Sequence, residues 1–195
     1  IAPYGEDEGI GVAMKPASAL SQPSLLGSGK LGRDVWTRFL YGGRPILITA
    51  FLATVLALVL GRVVGLVAAY DRGRLDDVLM RLMDIILAFP QIILALLVIA
   101  MFGASNPLII GTVAVSTTPR VARVVRGEFL SLREKEYVEA AKALGASDSR
   151  IIFRHILPNA LQPIIVYGTI AVGSVILAEA ALSFLGVGPT DPTPA

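Results

Sequence analysis

Apolar positions along this chain come in long blocks instead of short alternations, and each block is long enough to matter in a bilayer. The first runs from about Ile46 to Ala69, beyond the roughly 20 residues that a membrane-crossing helix needs. Arg62 interrupts it near the end marked by Tyr70, Asp71 and Arg72, where a long basic side chain either snorkels to the interface or serves a pathway. The second block, Ile85 to Phe102, contains Pro90, whose missing N–H predicts a kinked helix or an opened backbone. The third, Leu108 to Val125, gives way to Ser116-Thr117-Thr118-Pro119 and then to Arg120, Arg123 and Arg126 at helical spacing. It spans only where Val121, Val124 and Val125 continue it along a protein-facing side. The fourth, Ile164 to Leu185, carries Gly168, Gly173, Ser174, Ala178, Ala180 and Ala181, small residues that permit close helix contact. The pattern predicts an all-α polytopic membrane protein with four spans in this chain.

The stretches between the blocks are patterned too. Residues 1–45 hold no run that crosses a membrane, and Pro3, Pro16 and Pro23 with scattered Gly and Ser predict an irregular segment outside it. Within that segment Leu31 to Tyr41 reads as a short interfacial helix or a packed loop helix. Asp34 falls in its first turn, and Val35, Trp36, Phe39 and Leu40 share a face. Residues 46–195 form the transmembrane part. Its first loop has a helical pattern, Leu75, Leu79 and Leu82 against Asp76, Asp77 and Arg81.

Composition agrees with the blocks. Of 195 residues 54% are hydrophobic and only 16% charged, with a mean hydropathy of +0.71, far from a soluble domain with about a quarter of its residues charged. With no cysteine and His155 as the single histidine, thiolate and imidazole-rich metal sites are excluded. The net charge of +2 is too small to point to nucleic acid. The N-terminal Ile1-Ala2-Pro3-Tyr4-Gly5 with Glu6-Asp7-Glu8 lacks the succession of a signal peptide. Insertion then starts from the Ile46 block or from a span preceding this sequence.

Basic residues set the orientation. Arg120, Arg123, Arg126, Arg133, Lys135, Lys142, Arg150 and Arg154 crowd one segment, whereas the turn from Gly103 to Pro107 has none. The basic segment is therefore expected inside, and residues 1–45 outside. Lys30, Arg33, Arg38 and Arg44 then run against the rule.

The inside loop, residues 127–162, is long for a connection and helical in pattern. Tyr137, Ala141 and Leu144 share a stripe beside an i,i+4 pair of Lys135 and Glu139. Gly145 is placed to end the first helix in a left-handed turn. Ser147 is placed to cap a second, with Asp148 in its first turn, running through Ile151, Ile152 and His155 toward Leu157-Pro158. From spacing alone, the result is either a protrusion that fits a partner's groove or a loop folded back over the spans.

The string Glu139-Ala140-Ala141, three residues, Gly145, and then Leu157-Pro158 resembles the EAA loop of ABC importer permeases. His155 stands where the general signature has Ile. The longer string from Glu136 to Asp148 with Arg154-His155-Ile156-Leu157-Pro158-Asn159 is similar to the dipeptide, oligopeptide and nickel branch, in which His is usual there. Ala88-Phe89-Pro90, the pre-span string Leu26 to Val35 (with Gly29-Lys30 in place of an acidic pair) and Leu177 to Gly186 are similar to that branch as well.

The resemblance implies a permease of about six spans, of which this chain is an internal portion. Ile1-Ala2-Pro3-Tyr4 looks like the sequence after that family's first span and Pro192-Thr193-Pro194 like the loop before its last. It implies a cytoplasmic (inner) membrane location in a bacterium or archaeon, in a lipid bilayer. The implied partners are a second permease subunit in a heterodimer, two ATP-binding subunits and an extracytoplasmic substrate-binding protein. ATPase coupling would rest on Glu139, Ala140, Ala141, Gly145, His155, Leu157 and Pro158. The transported substrate would be a dipeptide, an oligopeptide or nickel.

The chain itself carries no cofactor motif. The glycine-rich phosphate loop is absent, since Gly27-Ser28-Gly29-Lys30 lacks both the first glycine and the following hydroxyl, so ATP and Mg belong to the partner ATPase and no catalytic residue is expected here. Glu179 is an ionisable group inside a span, which either faces the translocation path with Pro90 and Gln91, or pairs with a charged group there, or makes a structural hydrogen bond to a neighbouring helix or sits near the outer interface. An ATPase-independent transporter or channel accounts for Pro90 and Glu179 but not for the paired-helix loop.

Overall fold

The computed structural model describes residues 8, 14–16, 25–29, 32–71 and 73–185. Leu31, the Ile1–Tyr4 string and the Pro192–Pro194 string lie outside the described residues. The chain divides into two compact units, Ile1–Ile48 and Thr49–Ala195.

In the first unit Ser28 and Asp34 form an antiparallel bridge, and the Asp34 carboxylate accepts the Thr37 N–H at 2.8 Å. That bond satisfies one of the orphan donors at a helix start. Asp34 is therefore the cap of helix α1, Val35–Asp71, and not part of its first turn. Trp36 and Phe39 stack at 5.9 Å. Val35 to Tyr41, the described part of the expected short helix that follows Asp34, belong to α1.

In the second unit α1 presents a stripe of small buried residues: Ala50, Ala53, Ala57, Gly61, Gly65 and Ala69. Phe51, Val55, Val59 and Val63 point outward. Small-inside and large-outside is the packing expected where lipid is as apolar as the side chains and helices gain by close approach.

Helix α2, Arg74–Ala88, and helix α3, Gln91–Phe102, meet at a bend of 82°. The predicted second span across Ile85 to Phe102 is thus not one kinked helix but the end of one rod and the whole of another. Phe89 is extended, as a residue before proline prefers, and Pro90 starts α3. At about 18 Å long, α3 alone falls short of a hydrocarbon core of about 30 Å.

Helix α4, Asn106–Arg133, passes through Pro119 and all three arginines without a break. Val121 and Val125 are buried and Val124 half-buried, so the span does continue along a protein-facing side. Helix α5, Glu136–Ala143, and helix α6, Asp148–Ile151, follow. A π-helical turn, Ile152–Ile156, joins α6 without interruption to helix α7, Leu157–Phe184. Among the described residues three helices are long and apolar enough to cross a membrane, and the bent α2–α3 pair makes a fourth where the two are counted as one span.

Two apolar clusters hold the spans together. Ala50 and Ala53 pack with Ile99, Ile109, Val113 and Val175, and Val121 and Val125 pack with Ala160 and Ile164. Of the small residues expected to bring α7 close to its neighbours, Gly168 alone among the glycines does so, against the Leu58 side chain. Gly173 faces open space and Ser174 and Ala180 are exposed.

Candidate functional site: a helical corner and a midspan cleft

The corner between α5 and α6 is built by backbone chemistry that the sequence spells out. Gly145 has φ +79°, a left-handed conformation that costs a side chain of L chirality about 1–2 kcal/mol. The Gly145 N–H bonds to the Lys142 carbonyl at 2.9 Å and the Ala146 N–H to the Ala141 carbonyl at 3.0 Å. Together they make a Schellman ending. Two residues on, the Ser147 Oγ accepts the Arg150 N–H and caps α6.

The corner is anchored from below. Val138, Ile151 and Ile156 are buried with Phe129 and Ala69, and Ala141, Ala146 and Ile152 pack against them. On the expected stripe only Ala141 faces this cluster, whereas Tyr137 and Leu144 turn outward, Leu144 being 88% exposed. Glu139 and Ala140 are also exposed, and so is Phe153. Lys135 sits at the cap with extended backbone, outside the helix, and its ammonium makes no ion pair with Glu139. His155 lies in the π-helical turn with its ring 6.5 Å from that of Tyr137, and the Asn159 side chain donates to its carbonyl at 2.6 Å. Leu157 and Pro158 open α7, Pro where a missing N–H costs little.

Deeper along the spans, α4 and α7 part to leave a cleft of ≈ 440 Å³, whose polar lining is Gln91, Thr117, Arg120, Tyr167 and Ser174. Arg120 stands about half-way along α4. A second groove of ≈ 610 Å³ shares Tyr167 and Ile170 with it and extends past Glu128, Asn159 and Gln162.

The other two arginines of α4 are engaged elsewhere. Arg126 donates to Asp76 from Nε and Nη2, the Nε–Oδ1 distance being 2.7 Å, and Arg123 pairs with Asp84. Both acids belong to α2, so the pairs tie α2 to α4.

Of the three residues expected on a translocation path, Pro90 and Gln91 are chain neighbours at the start of α3 and Glu179 is on α7. Gln91 lines the cleft; Pro90 is exposed at the α2–α3 bend; Glu179 is 1% exposed and lies apart from the cleft. The Glu179 oxygens make no well-formed hydrogen bond, the Thr49 hydroxyl being within reach. Sequence reasoning passed over Thr117, Tyr167 and the role of Arg120 beyond topology. The signal for Arg120 was its place within the third apolar block, where a charge is costly and rarely idle. It also passed over Gly61 and Gly65, a small-x3-small pair in plain view.

Residues 61–194, more than half of the chain, match the family described as binding-protein-dependent transport system inner membrane component. The chain belongs to this family. Among curated members of the family, a dipeptide transport system permease protein, DppC, of Alkalihalophilus pseudofirmus is 43% identical over 92% of this chain and 60% of its own length. A putative peptide transport system permease protein of Brucella suis is 47% identical over 86% of this chain and 56% of its own. A glutathione transport system permease protein, GsiD, of Pectobacterium atrosepticum is 39% identical over 89% and 58%. The chain thus spans less than two thirds of the length of these relatives. Among solved structures, the inward-facing MetNI methionine ABC transporter aligns with a TM-score of 0.69 at 22% identity, over 77% of this chain and 76% of that one, which shows a shared fold. The family match and these relatives bear out the motif resemblance to the dipeptide, oligopeptide and nickel branch of ABC importer permeases.

Proposed function

We propose that this chain is the core of a permease subunit of an ATP-driven peptide importer in the cytoplasmic membrane of a bacterium or archaeon. It supplies half of the translocation path and transmits motion from ATPase subunits. The observation that carries the reading is the corner: a rigid Schellman turn holds Glu139, Ala140 and Leu144 outward while α6 runs unbroken into the span α7. A push on that corner is delivered to the whole rod.

The exposed apolar groups Leu144 and Phe153 suit a partner's groove better than water. That favours the protruding over the folded-back form of the loop. With no phosphate-binding loop in this sequence, ATP and Mg are assigned to two partner ATPase subunits. A second, different permease subunit completes the path, and a substrate-binding protein delivers peptide from outside. Glu139 and Ala140 form the contact, Ala141 seats α5 on the buried cluster and Gly145 makes the turn; His155, Leu157 and Pro158 form the continuous entry to α7, a π-turn being a frequent mark of functional positions. The dipeptide, peptide and glutathione names of the relatives favour peptides over nickel.

Gly145→Val tests the lever. It strains the left-handed corner, and the expected result is an assembled complex that hydrolyses ATP while dialanine uptake into proteoliposomes falls by roughly tenfold or more. Uptake at the wild-type rate would remove the lever.

A further inference from the structure

Three arginines follow one another on α4, and two are spoken for. Arg126 and Arg123 are bound by Asp76 and Asp84. Arg120, one turn away, has no acidic partner among the described residues and its guanidinium is exposed in the cleft. Its position about half-way along a membrane-crossing helix makes an uncompensated charge expensive unless a ligand or water meets it.

The neighbouring hydroxyls sharpen the picture. Ser116 returns its hydroxyl proton to the Val113 carbonyl at 2.9 Å and Thr118 to the Ala114 carbonyl at 2.8 Å, the usual way for a helical hydroxyl to satisfy itself. Thr117, between them, makes no such bond: it is 4% exposed, its Oγ1 has no partner, and it lines the cleft. The Gln91 Nε2, at the start of α3, is likewise buried, unpartnered and on the same cleft wall. Tyr167 faces the pair from α7 within electrostatic reach of Arg120. A fixed cation with buried donors on one wall is chemistry that recognises an anion.

We infer that Arg120, Thr117 and Gln91 form a carboxylate subsite, which holds the C-terminal carboxylate of a peptide as it passes through the membrane. Arg120 supplies the charge, Thr117 Oγ1 and Gln91 Nε2 donate from the wall, and Tyr167 closes the opposite side. The peptide as ligand rests on the function proposed above; the anion chemistry rests on the cleft alone.

The test is equilibrium binding of radiolabelled dialanine and of dialanine amide to the purified complete transporter in detergent, without its binding protein, with ATP-driven uptake of dialanine into proteoliposomes supplied with the binding protein measured in parallel. Wild type is expected to prefer the free acid by roughly tenfold to a hundredfold, the worth of one or two hydrogen bonds to a charge. Arg120→Gln is expected to abolish that preference and Arg120→Lys to keep most of it. Arg123→Gln, whose partner is Asp84, is expected to leave it unchanged. Thr117→Val removes a donor without touching charge, and is expected to weaken acid binding several-fold with amide binding unaltered; it decides the matter should Arg120→Gln fail to assemble. Equal binding of acid and amide by wild type, or an undiminished preference in assembled Arg120→Gln, overturns the subsite. A wild-type complex that prefers the acid but shows no ATP-driven uptake overturns the importer reading and leaves the subsite standing.

Discussion

Helix α4 has two faces that differ in kind. Toward α1 it is sealed: a Cβ on Gly65 would lie 2.5 Å from the Ala122 carbonyl oxygen, and one on Gly61 2.5 Å from the Val121 Cβ. Toward α7 the same helix packs Val121 and Val125 against Ala160 and Ile164 and, beside that contact, opens into the cleft, with Arg120 exposed and the Thr117 Oγ1 unpartnered. The sealed face uses the absence of side chains to bring two backbones together, so dispersion contacts hold it. The open face keeps the Thr117 Oγ1 without a protein partner, a cost that a ligand in the cleft would offset. One face of α4 is thus shaped for permanence, the other for passage.

Substitutions separate the two faces, the largest effects falling on the sealed one. Gly65→Val drives a branched side chain into backbone as well as into Val125, and a destabilisation of about 3 kcal/mol or more is expected, read as loss of folded protein or a lowered thermal midpoint in mild detergent. Arg126→Ala strands Asp76, which is 7% exposed, and is expected to cost about 1–3 kcal/mol. The double variant Arg126→Ala with Asp76→Ala should recover part of that loss, a coupling that a double-mutant cycle measures. Arg123→Ala breaks a pair whose members are 50% and 57% exposed, so a change of about 0–1 kcal/mol is expected. Smallest of all, Ser174→Ala on the cleft wall removes an exposed hydroxyl that bonds only to the Ile170 carbonyl, and its midpoint should stay within about 0.5 kcal/mol of wild type. A Ser174→Ala loss as large as that of Gly65→Val would erase the distinction between the faces.

The corner was the most legible part of the site. Gly145, Ser147 and Asp148 act through local backbone rules, so their spacing alone placed a left-handed turn and a cap where the structure has them. Which side of α5 packs was less legible: Tyr137, Ala141 and Leu144 made an apparent stripe, yet Val138 is the residue buried, against Phe129, Ile151 and Ile156. An eight-residue helix with apolar groups on more than one side has no unique inner face until its neighbours are in place. At Pro90 the break itself was readable, but its angle of 82° depends on what α2 and α3 pack against.

By itself the sequence determined the membrane class, the positions of the apolar blocks, the turn at Gly145 and the membership of a permease branch. Each of these is written in composition, local backbone preference or a contiguous motif. Only the tertiary structure decided that Arg123 and Arg126 are held by Asp84 and Asp76 while Arg120 is not. It alone set Glu179 apart from the cleft that Gln91 and Thr117 line. The physical reason is distance along the chain: the partners of these charges lie on other helices, 39 residues away for Arg123 and 50 for Arg126. Helical spacing fixes which residues share a face but not what that face will meet.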